Sequence, residues 1–410
     1  DNDGDLDAYV VRGRRLGADM LDPPLQNGYA GRPNHLLIND GGRFTDRTAE
    51  WGATAGEDSE SFVGLFADMD RDGDSDLMVV RDFRPDHYFT NNNGLGFSDT
   101  TAAAVGDKTT SLMGLAVGDY NGDGHLDLYA TNDTADRIFR GRGDGTFEAV
   151  EKTAIVGGDP SVTKSGWGCA LVDLDNDGDQ DVITIATYEP SGQVGAFTNS
   201  PARIGGYVVL ENLGDGTFKD ITSEAGLGDP VSGSSLAVAD FDLDGDMDVA
   251  VGLEAPREIG FGPPRSTIPR GVRILRNDSA KAAGRGSFLL GLRAPEAVNS
   301  WGIGAIIDVT VGDTRTSRVV TAGESHLAQS TYVQHFGLST TTTATVKITW
   351  PDGTRQTLEK VPQGYHPIAK AAGACCVDDV CDSDAPKCGI WAPPWNPCGI
   401  EDGCTFCGLL

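Results

Sequence analysis

The stretch SFVGLFADMDRDGDSDLMVV, residues 61–80, decides the fold. It is an apolar run, a loop with a carboxylate at every second position, and a second apolar run. Within the loop DMDRDGDSD (68–76) the carboxylates repel one another strongly unless a cation sits among them. The spacing Asp-x-Asp/Asn-x-Asp-Gly-x-x-Asp folds around one hard divalent ion. Asp68, Asp70, Asp72 and Asp76 would supply side-chain oxygens and Asp74 its carbonyl, while Gly73 permits the sharp turn. Oxygen-only donors in an irregular loop favour calcium over zinc and over magnesium.

The same pattern recurs in DNDGDLD (1–7), DYNGDGHLD (119–127), DLDNDGDQD (173–181) and DFDLDGDMD (240–248). The further candidate ligands are Asp1, Asp3 and Asp7; Asp119, Asn121, Asp123, His125 (through its carbonyl) and Asp127; Asp173, Asp175, Asp177, Asp179 and Asp181; and Asp240, Asp242, Asp244, Asp246 and Asp248. Calcium is expected in the four complete loops, beginning at 68, 119, 173 and 240, with a fifth, incomplete site at 1–7. An EF-hand opens in the same way but requires Glu at position 12 and a helix on each side. Position 12 is Val79, Ala130, Thr184 or Val251, and the flanks (LMVV, LYAT, VITIA, VAVG after; SLMGLAVG, GWGCALV, SSLAVA before) are strand-like. Repetition in register also argues against merely solvated acidic turns.

A second element repeats out of phase: HLLINDGGRFTDRT (35–48), HYFTNNNGLGFSDTT (87–101), RIFRGRGDGTFEAV (137–150), VVLENLGDGTFKDIT (208–222) and a degenerate RILRNDSAKAAGRGSF (273–288). Each is a short strand, a polar turn and a Phe opening the next strand. Phe44, Phe97, Phe147 and Phe218 are expected to plug the space between neighbouring sheets. One period thus holds four short strands, which is the grammar of a propeller blade. Pro/Gly-rich insertions at 18–33, 188–206 and 254–271 read as surface loops and are the best places for a recognition surface.

The 410 residues carry 61 acidic against 32 basic side chains, a net charge of -29, with 55 glycines. About a third of the acid lies in the five loops, and the glycine excess largely serves their turns. So acidic a chain excludes a nucleic-acid backbone or an anionic membrane as partner. No apolar run is long enough to span a bilayer as a helix.

The loop copies, over roughly residues 1–290, resemble the FG-GAP and VCBS repeats of integrin alpha-subunit propellers and of many secreted proteins. The resemblance implies calcium in the Asp-rich loops. Asn121 and His125 depart from the pattern and should weaken that site. Propellers of this kind commonly have seven blades; the first copy lacks its opening position, so the chain reads as part of a longer one.

From about residue 292 the pattern changes to alternating apolar and polar residues rich in Thr, Val and Ile, expected to form antiparallel sheet. GIGA (302–305), GESHLAQS (323–330), HFGL (335–338) and WPDG (350–353) closely resemble an ASPIC/UnbV domain, which follows FG-GAP repeats in the cartilage acidic protein-like family. The combination implies an extracellular, non-enzymatic calcium-binding protein. Adjacent Ser325 and His326 in a strand would face opposite ways and make no nucleophile–base pair. His326, His335 and His366 are expected to be packing or surface residues. Arg142-Gly143-Asp144 spells an integrin-recognition tripeptide, but its Gly and Asp occupy the turn that reads GDG at 214–216.

The tail from 371 carries Cys375, Cys376, Cys381, Cys388, Cys398, Cys404 and Cys407. With little apolar material, it is expected to be a disulfide module; a thiolate zinc cluster using Cys404 and Cys407 is the alternative. The number is odd, so an intermolecular disulfide is a further hypothesis. Cys169, in a strand, is expected to be a buried lone thiol.

The expected fold is all-β: a propeller with calcium-binding loops (1–291), an antiparallel β domain (292–370) and a Cys-rich tail (371–410). The expected function is a secreted, non-enzymatic structural or adhesive protein of an extracellular or cell-surface assembly, without catalytic residues. Its partners would be proteins, by self-association or in the matrix, and neither nucleic acid nor membrane interior. The alternative is a glycan-binding, lectin-like propeller using Trp51, Trp167 or Trp301. Asn132 and Asn277 head formal glycosylation sequons.

Overall fold

In a computed structural model of the chain, the described residues are 1, 3–12, 32–56, 60–188, 205–254, 271–294 and 299–370. The seven tail cysteines and most of the three insertions lie outside them.

Each complete Asp-rich loop joins the two innermost strands of a blade. The first blade comprises β1 (Ala8–Val10), β2 (His35–Asp40) and β3 (Arg43–Asp46). The second is β4 (Ser61–Ala67), β5 (Asp76–Arg84), β6 (His87–Asn91) and β7 (Phe97–Asp99). A short helix, α1 (Thr101–Ala104), leads to β8 (Thr110–Gly118), β9 (Asp127–Asn132), β10 (Arg137–Gly141) and β11 (Phe147–Ala149). After α2 (Glu151–Ala154), β12 (Ile155–Val156) runs forward to pair in parallel with the outer strand of the next blade. That blade is β13 (Ser165–Val172), β14 (Asp181–Thr187), β15 (Gly206–Asn212) and β16 (Phe218–Asp220). The last is β17 (Gly233–Ala239), β18 (Asp248–Leu253) and β19 (Gly271–Leu275). Pairing within each blade is antiparallel throughout, and the outer end of β5 also reaches β8. This is the propeller expected from the repeats.

The innermost strands pack backbone against backbone. A Cβ on Gly114 would stand 1.9 Å from the Trp167 carbonyl oxygen, and one on Gly168 would stand 2.7 Å from the Leu236 nitrogen. Glycine is required in β8 and β13 because the next inner strand lies there. Between blades the cores are apolar. Val80 and Tyr88 meet Leu115 and Phe147; Tyr120 meets Phe218; Ile185 meets Leu236 and Val251. Phe147 packs edge-on to Tyr88, and Phe218 lies 5.2 Å from Tyr120 of the preceding blade. Burying such a ring contributes about 1.5–3 kcal/mol. Phe44, on β3 of the first blade, is 53% exposed among the described residues.

The second module begins earlier than the change of sequence pattern. The degenerate fifth hairpin does not return to the blade: after β19 the chain forms α3 (Ser279–Ala283) and then β20 (Gly286–Arg293). β20 lies between β23 (Gln334–Ser339), antiparallel, and β26 (Gly364–Ala369), parallel. A facing sheet orders β22 (Thr314–Val319), β21 (Ile306–Val311), β24 (Thr343–Thr349) and β25 (Arg355–Pro362). Phe288, Leu290, Ile307, Val309, Val346 and Trp350 fill the space between them. Ile306 and Val319, from this module, complete the core between the second and third blades. No helix among the described residues is long and apolar enough to cross a membrane.

Candidate metal centres and the seat of the C-terminal module

All four complete loops fold alike. Positions four and six have left-handed backbones: Arg71 and Gly73, Gly122 and Gly124, Asn176 and Gly178, Leu243 and Gly245. Only the sixth was anticipated, because glycine announces it. The turn is held from inside. The sixth N–H donates to the first Asp (Gly73 to Asp68 at 3.1 Å; Gly124 to Asp119, Gly178 to Asp173 and Gly245 to Asp240, each at 3.0 Å). The seventh donates to the fifth, as Asp74 does to Asp72 at 3.0 Å and His125 to Asp123 at 2.9 Å.

This curl gathers carboxylates. Asp68, Asp70 and Asp72 bring one oxygen each within 4.8 Å of one another, as do Asp173, Asp175 and Asp181, and Asp240, Asp242 and Asp248. In the incomplete first copy, Asp1 and Asp3 are joined by Asp40 from the β2–β3 turn. Asp40 was not predicted; its Asn-Asp-Gly setting marked only a turn. In the 119–127 loop, where Asn121 interrupts the series, no three carboxylate or imidazole atoms among the described residues come so close.

Burial, then neighbouring carboxylates, disfavours charge in these loops. Burial pushes Asp68 up to about 6 and Asp119 and Asp173 up to about 7; Asp179 reaches about 8. Buried Asp68 Oδ1 and Asp179 Oδ1 accept no hydrogen bond. An all-oxygen donor set with orphaned acceptors, held at the wrong charge for water-free burial, fits a hard divalent cation. These clusters could hold metal ions.

The ninth position has a further role. Asp76 Oδ1 accepts from the Asn91 N–H (3.0 Å), Asp127 Oδ1 from Gly141 (2.7 Å), Asp181 Oδ1 from Asn212 (2.8 Å) and Asp248 Oδ1 from Asn277 (2.8 Å). Asp7 does the same for Asn39 at 2.8 Å. The carboxylate therefore fastens the loop to the end of the blade's third strand. The Asn277 side chain then donates to Met247 O of its own loop and to Leu174 O of the preceding blade's loop, as Asn212 does to Gln180 O and Tyr120 O. Asn277, which heads a formal glycosylation sequon, is thus a structural tie.

The C-terminal module sits on the loops. Arg71 forks onto Asp308 (2.8 and 3.2 Å) and reaches Ser317 Oγ at 2.9 Å. Asp119 N–H donates to Ser317 O at 3.2 Å, and Gly337 N–H to Asp173 Oδ2 at 3.0 Å. Ser339 N–H donates to Asn176 O at 2.8 Å, and Arg285 pairs with Asp175. Gly245 O accepts from Ser287 Oγ and from His335 Nε2, the latter at 3.1 Å.

The GESHLAQS segment leaves its sheet and inserts among the inner strands. Ser325, at φ +66, bridges Leu115 in both directions; its Oγ donates to Leu236 O (2.8 Å) and accepts from Cys169 N–H (3.2 Å). His326 lies 4.7 Å from Trp167 and bonds Ser234 O. The expectation of a strand here is corrected: both residues are buried plugs in a left-handed turn. The two bonds of Ser325 Oγ and the bond between His326 and Ser234 run to backbone.

Other candidates resolve similarly. Cys169 is a free, buried thiol whose pKa burial raises well above its usual value. Trp167 is buried, and Trp301, 42% exposed, has the Arg293 guanidinium 3.6 Å over its ring. Asp144 of the Arg-Gly-Asp tripeptide caps its own turn through Thr146, and Gly143 lies against the ring of His125. Turn geometry accounts for it.

The fold and loops define the class of protein. Residues 68–130, 119–184 and 196–251 match the FG-GAP-like repeat, and residues 295–366 match ASPIC and UnbV. The chain is an FG-GAP-repeat propeller followed by an ASPIC/UnbV domain. Its relatives include cartilage acidic protein 1 of Xenopus tropicalis, 24% identical over 308 residues (63% of this chain, 45% of that protein). The human protein is 25% identical over 313 residues (63% and 44%). The chain thus spans less than half the length of these relatives. Among solved structures, an Agrocybe aegerita lectin recognising non-reducing terminal N-acetylglucosamine matches at 20% identity and a TM-score of 0.27, over 63% of this chain and 77% of that one.

Proposed function

We propose that the protein is a secreted, non-enzymatic calcium-binding structural or adhesive component of an extracellular assembly. The observation that carries this reading is the common loop fold: four left-handed curls of the same shape, three with carboxylates drawn within 4.8 Å. The family similarity supports an extracellular setting, where calcium is abundant enough for loops of this kind. The ions would offset repulsion among the carboxylates and stiffen the platform on which the C-terminal module rests. Recognition of partner proteins would then fall to surfaces away from that covered face.

Titration calorimetry on the chelator-treated chain tests the proposal. Calcium should bind at three or more sites, and the melting temperature should rise on reloading. Absence of calcium binding at millimolar concentration would refute it. A glycan array on the loaded chain addresses the alternative: saturable binding of a defined sugar would replace the adhesive reading by a lectin-like one.

A further inference from the structure

Between the inner strands and the C-terminal module lies a polar cleft whose cavity measures about 40 Å³. Its walls include Val238 and Met247 of the last blade and Arg318, Glu324, Gln334 and His335 of the module. None of these is a predicted metal ligand.

Arg318 is the unusual member. It is 91% buried, and its guanidinium makes no hydrogen bond or ion pair among the described residues; buried Nε has no acceptor. It lies over the Phe336 ring, 5.2 Å from the guanidinium carbon, within the field of Asp173, Glu324 and Asp181. A buried guanidinium normally spends its five donors on carboxylates or carbonyls, because leaving them empty is costly. The nearby acids are engaged elsewhere. Asp173 accepts from Asp177, Gly178 and Gly337, and Asp181 from Leu174 and Asn212. Glu324 accepts from Thr321, and burial pushes it up to about 7.

His335 supplies the second, independent observation. It is 1% exposed, and its Nε2 faces the Gly245 carbonyl, which can only accept. The ring proton is therefore on Nε2, leaving Nδ1 as an acceptor; that buried atom has no partner. The cleft thus offers a forked cationic donor and a bare acceptor. At roughly 10–15 Å³ for each water-sized group, this volume admits a ligand of three or four heavy atoms.

We propose that this cleft binds a small, monoprotonated oxyanion, of which hydrogencarbonate is the simplest. Its carboxylate edge takes the Arg318 fork, and its hydroxyl donates to His335 Nδ1. Formate matches the first contact alone, and chloride matches neither the fork's shape nor the histidine.

The test uses the full calcium-loaded chain at neutral pH, with calcium kept low enough to avoid carbonate precipitation. Melting temperatures are measured in hydrogencarbonate, formate, chloride and gluconate at equal ionic strength. The expected result is a saturable rise in hydrogencarbonate, a smaller one in formate, and none in chloride relative to gluconate. Arg318→Met should remove the hydrogencarbonate dependence, read within the variant as the difference between its hydrogencarbonate and gluconate curves, whatever the loss of the guanidinium beside Asp173 and Glu324 costs in both salts. Equal curves in all four salts, or an undiminished hydrogencarbonate effect in Arg318→Met, would overturn the site. Should that variant not fold, a high-resolution crystal structure of the wild-type chain in hydrogencarbonate decides. Planar trigonal density on the guanidinium supports the site; separate waters, or Glu324 swung onto Arg318, reject it.

Discussion

The backbone N–H of Gly337 donates to Asp173 Oδ2 at 3.0 Å, joining the C-terminal module to the first position of a candidate metal loop 164 residues earlier. There is no room for a side chain. A Cβ on Gly337 would stand 2.2 Å from that oxygen and 2.5 Å from the Asn176 carbonyl carbon. Gly337→Ala should therefore lift β23 from the loop and destabilise the chain by about 1–3 kcal/mol, the usual cost of overpacking. By reciprocity, it should weaken calcium binding severalfold at this loop without altering a ligand. Urea unfolding and calcium titration measure both; unchanged calcium affinity would uncouple the module from the loop.

Metal removal should reverse the pH dependence of stability. Without metal, burial raises Asp68 to about 6 and Asp119 and Asp173 to about 7, from an ordinary 3.8. The folded chain then holds more protons than the unfolded one between these values. Its stability is greatest near pH 4 and declines as the pH rises through 6 and 7. Calcium binding expels those protons, so affinity should increase over the same interval. Melting temperatures in EDTA should fall from pH 5 to 8, while those in excess calcium should not follow. A rise with pH in EDTA would contradict the assignment of these carboxylates.

The ninth-position aspartates should matter for folding beyond any role with metal. Asp127 accepts from Gly141 N–H at 2.7 Å and from Tyr120 N–H at 3.1 Å, and no described cluster includes it. Asp127→Asn would replace one acceptor by an amide that faces an N–H. A loss of about 1–3 kcal/mol is expected in denaturant unfolding. Measured in EDTA, where no metal is bound, the loss reports the folding role alone.

Much of this architecture was legible because it is local. Alternating carboxylates, a central glycine and flanking apolar runs place a loop between paired strands, as at 61–80. What escaped was non-local or lacked a residue signature. Arg71, Asn176 and Leu243 take left-handed backbones that only their shared loop position reveals. The strand at 286–293 follows a Gly turn and carries Phe288, like the outer strand of a blade, yet pairs with residues 334–339 and 364–369. Hairpin grammar fixes where a strand lies and says nothing of its distant partners. For the same reason GESHLAQS read as strand: nothing in it shows that its hydrogen-bond partners are Leu115, Cys169 and Leu236.

That insertion yields the last prediction. Ser325 Oγ links the Leu236 carbonyl and the Cys169 N–H, while its backbone pairs with Leu115. Three inner strands are thereby tied to one turn whose φ of +66 suits glycine better than any other residue. Ser325→Ala keeps the unfavourable backbone and loses both side-chain bonds, leaving Cys169 N–H unsatisfied. It should cost about 1–3 kcal/mol. Ser325→Gly loses the same bonds but relieves the backbone, so it should cost less. Cys169, 1% exposed behind the turn, reports the outcome. Peptide-resolved alkylation should find it protected in wild type, more reactive in Ser325→Gly, and most reactive in Ser325→Ala. Equal protection in all three would mean that the turn rests on the propeller without holding it.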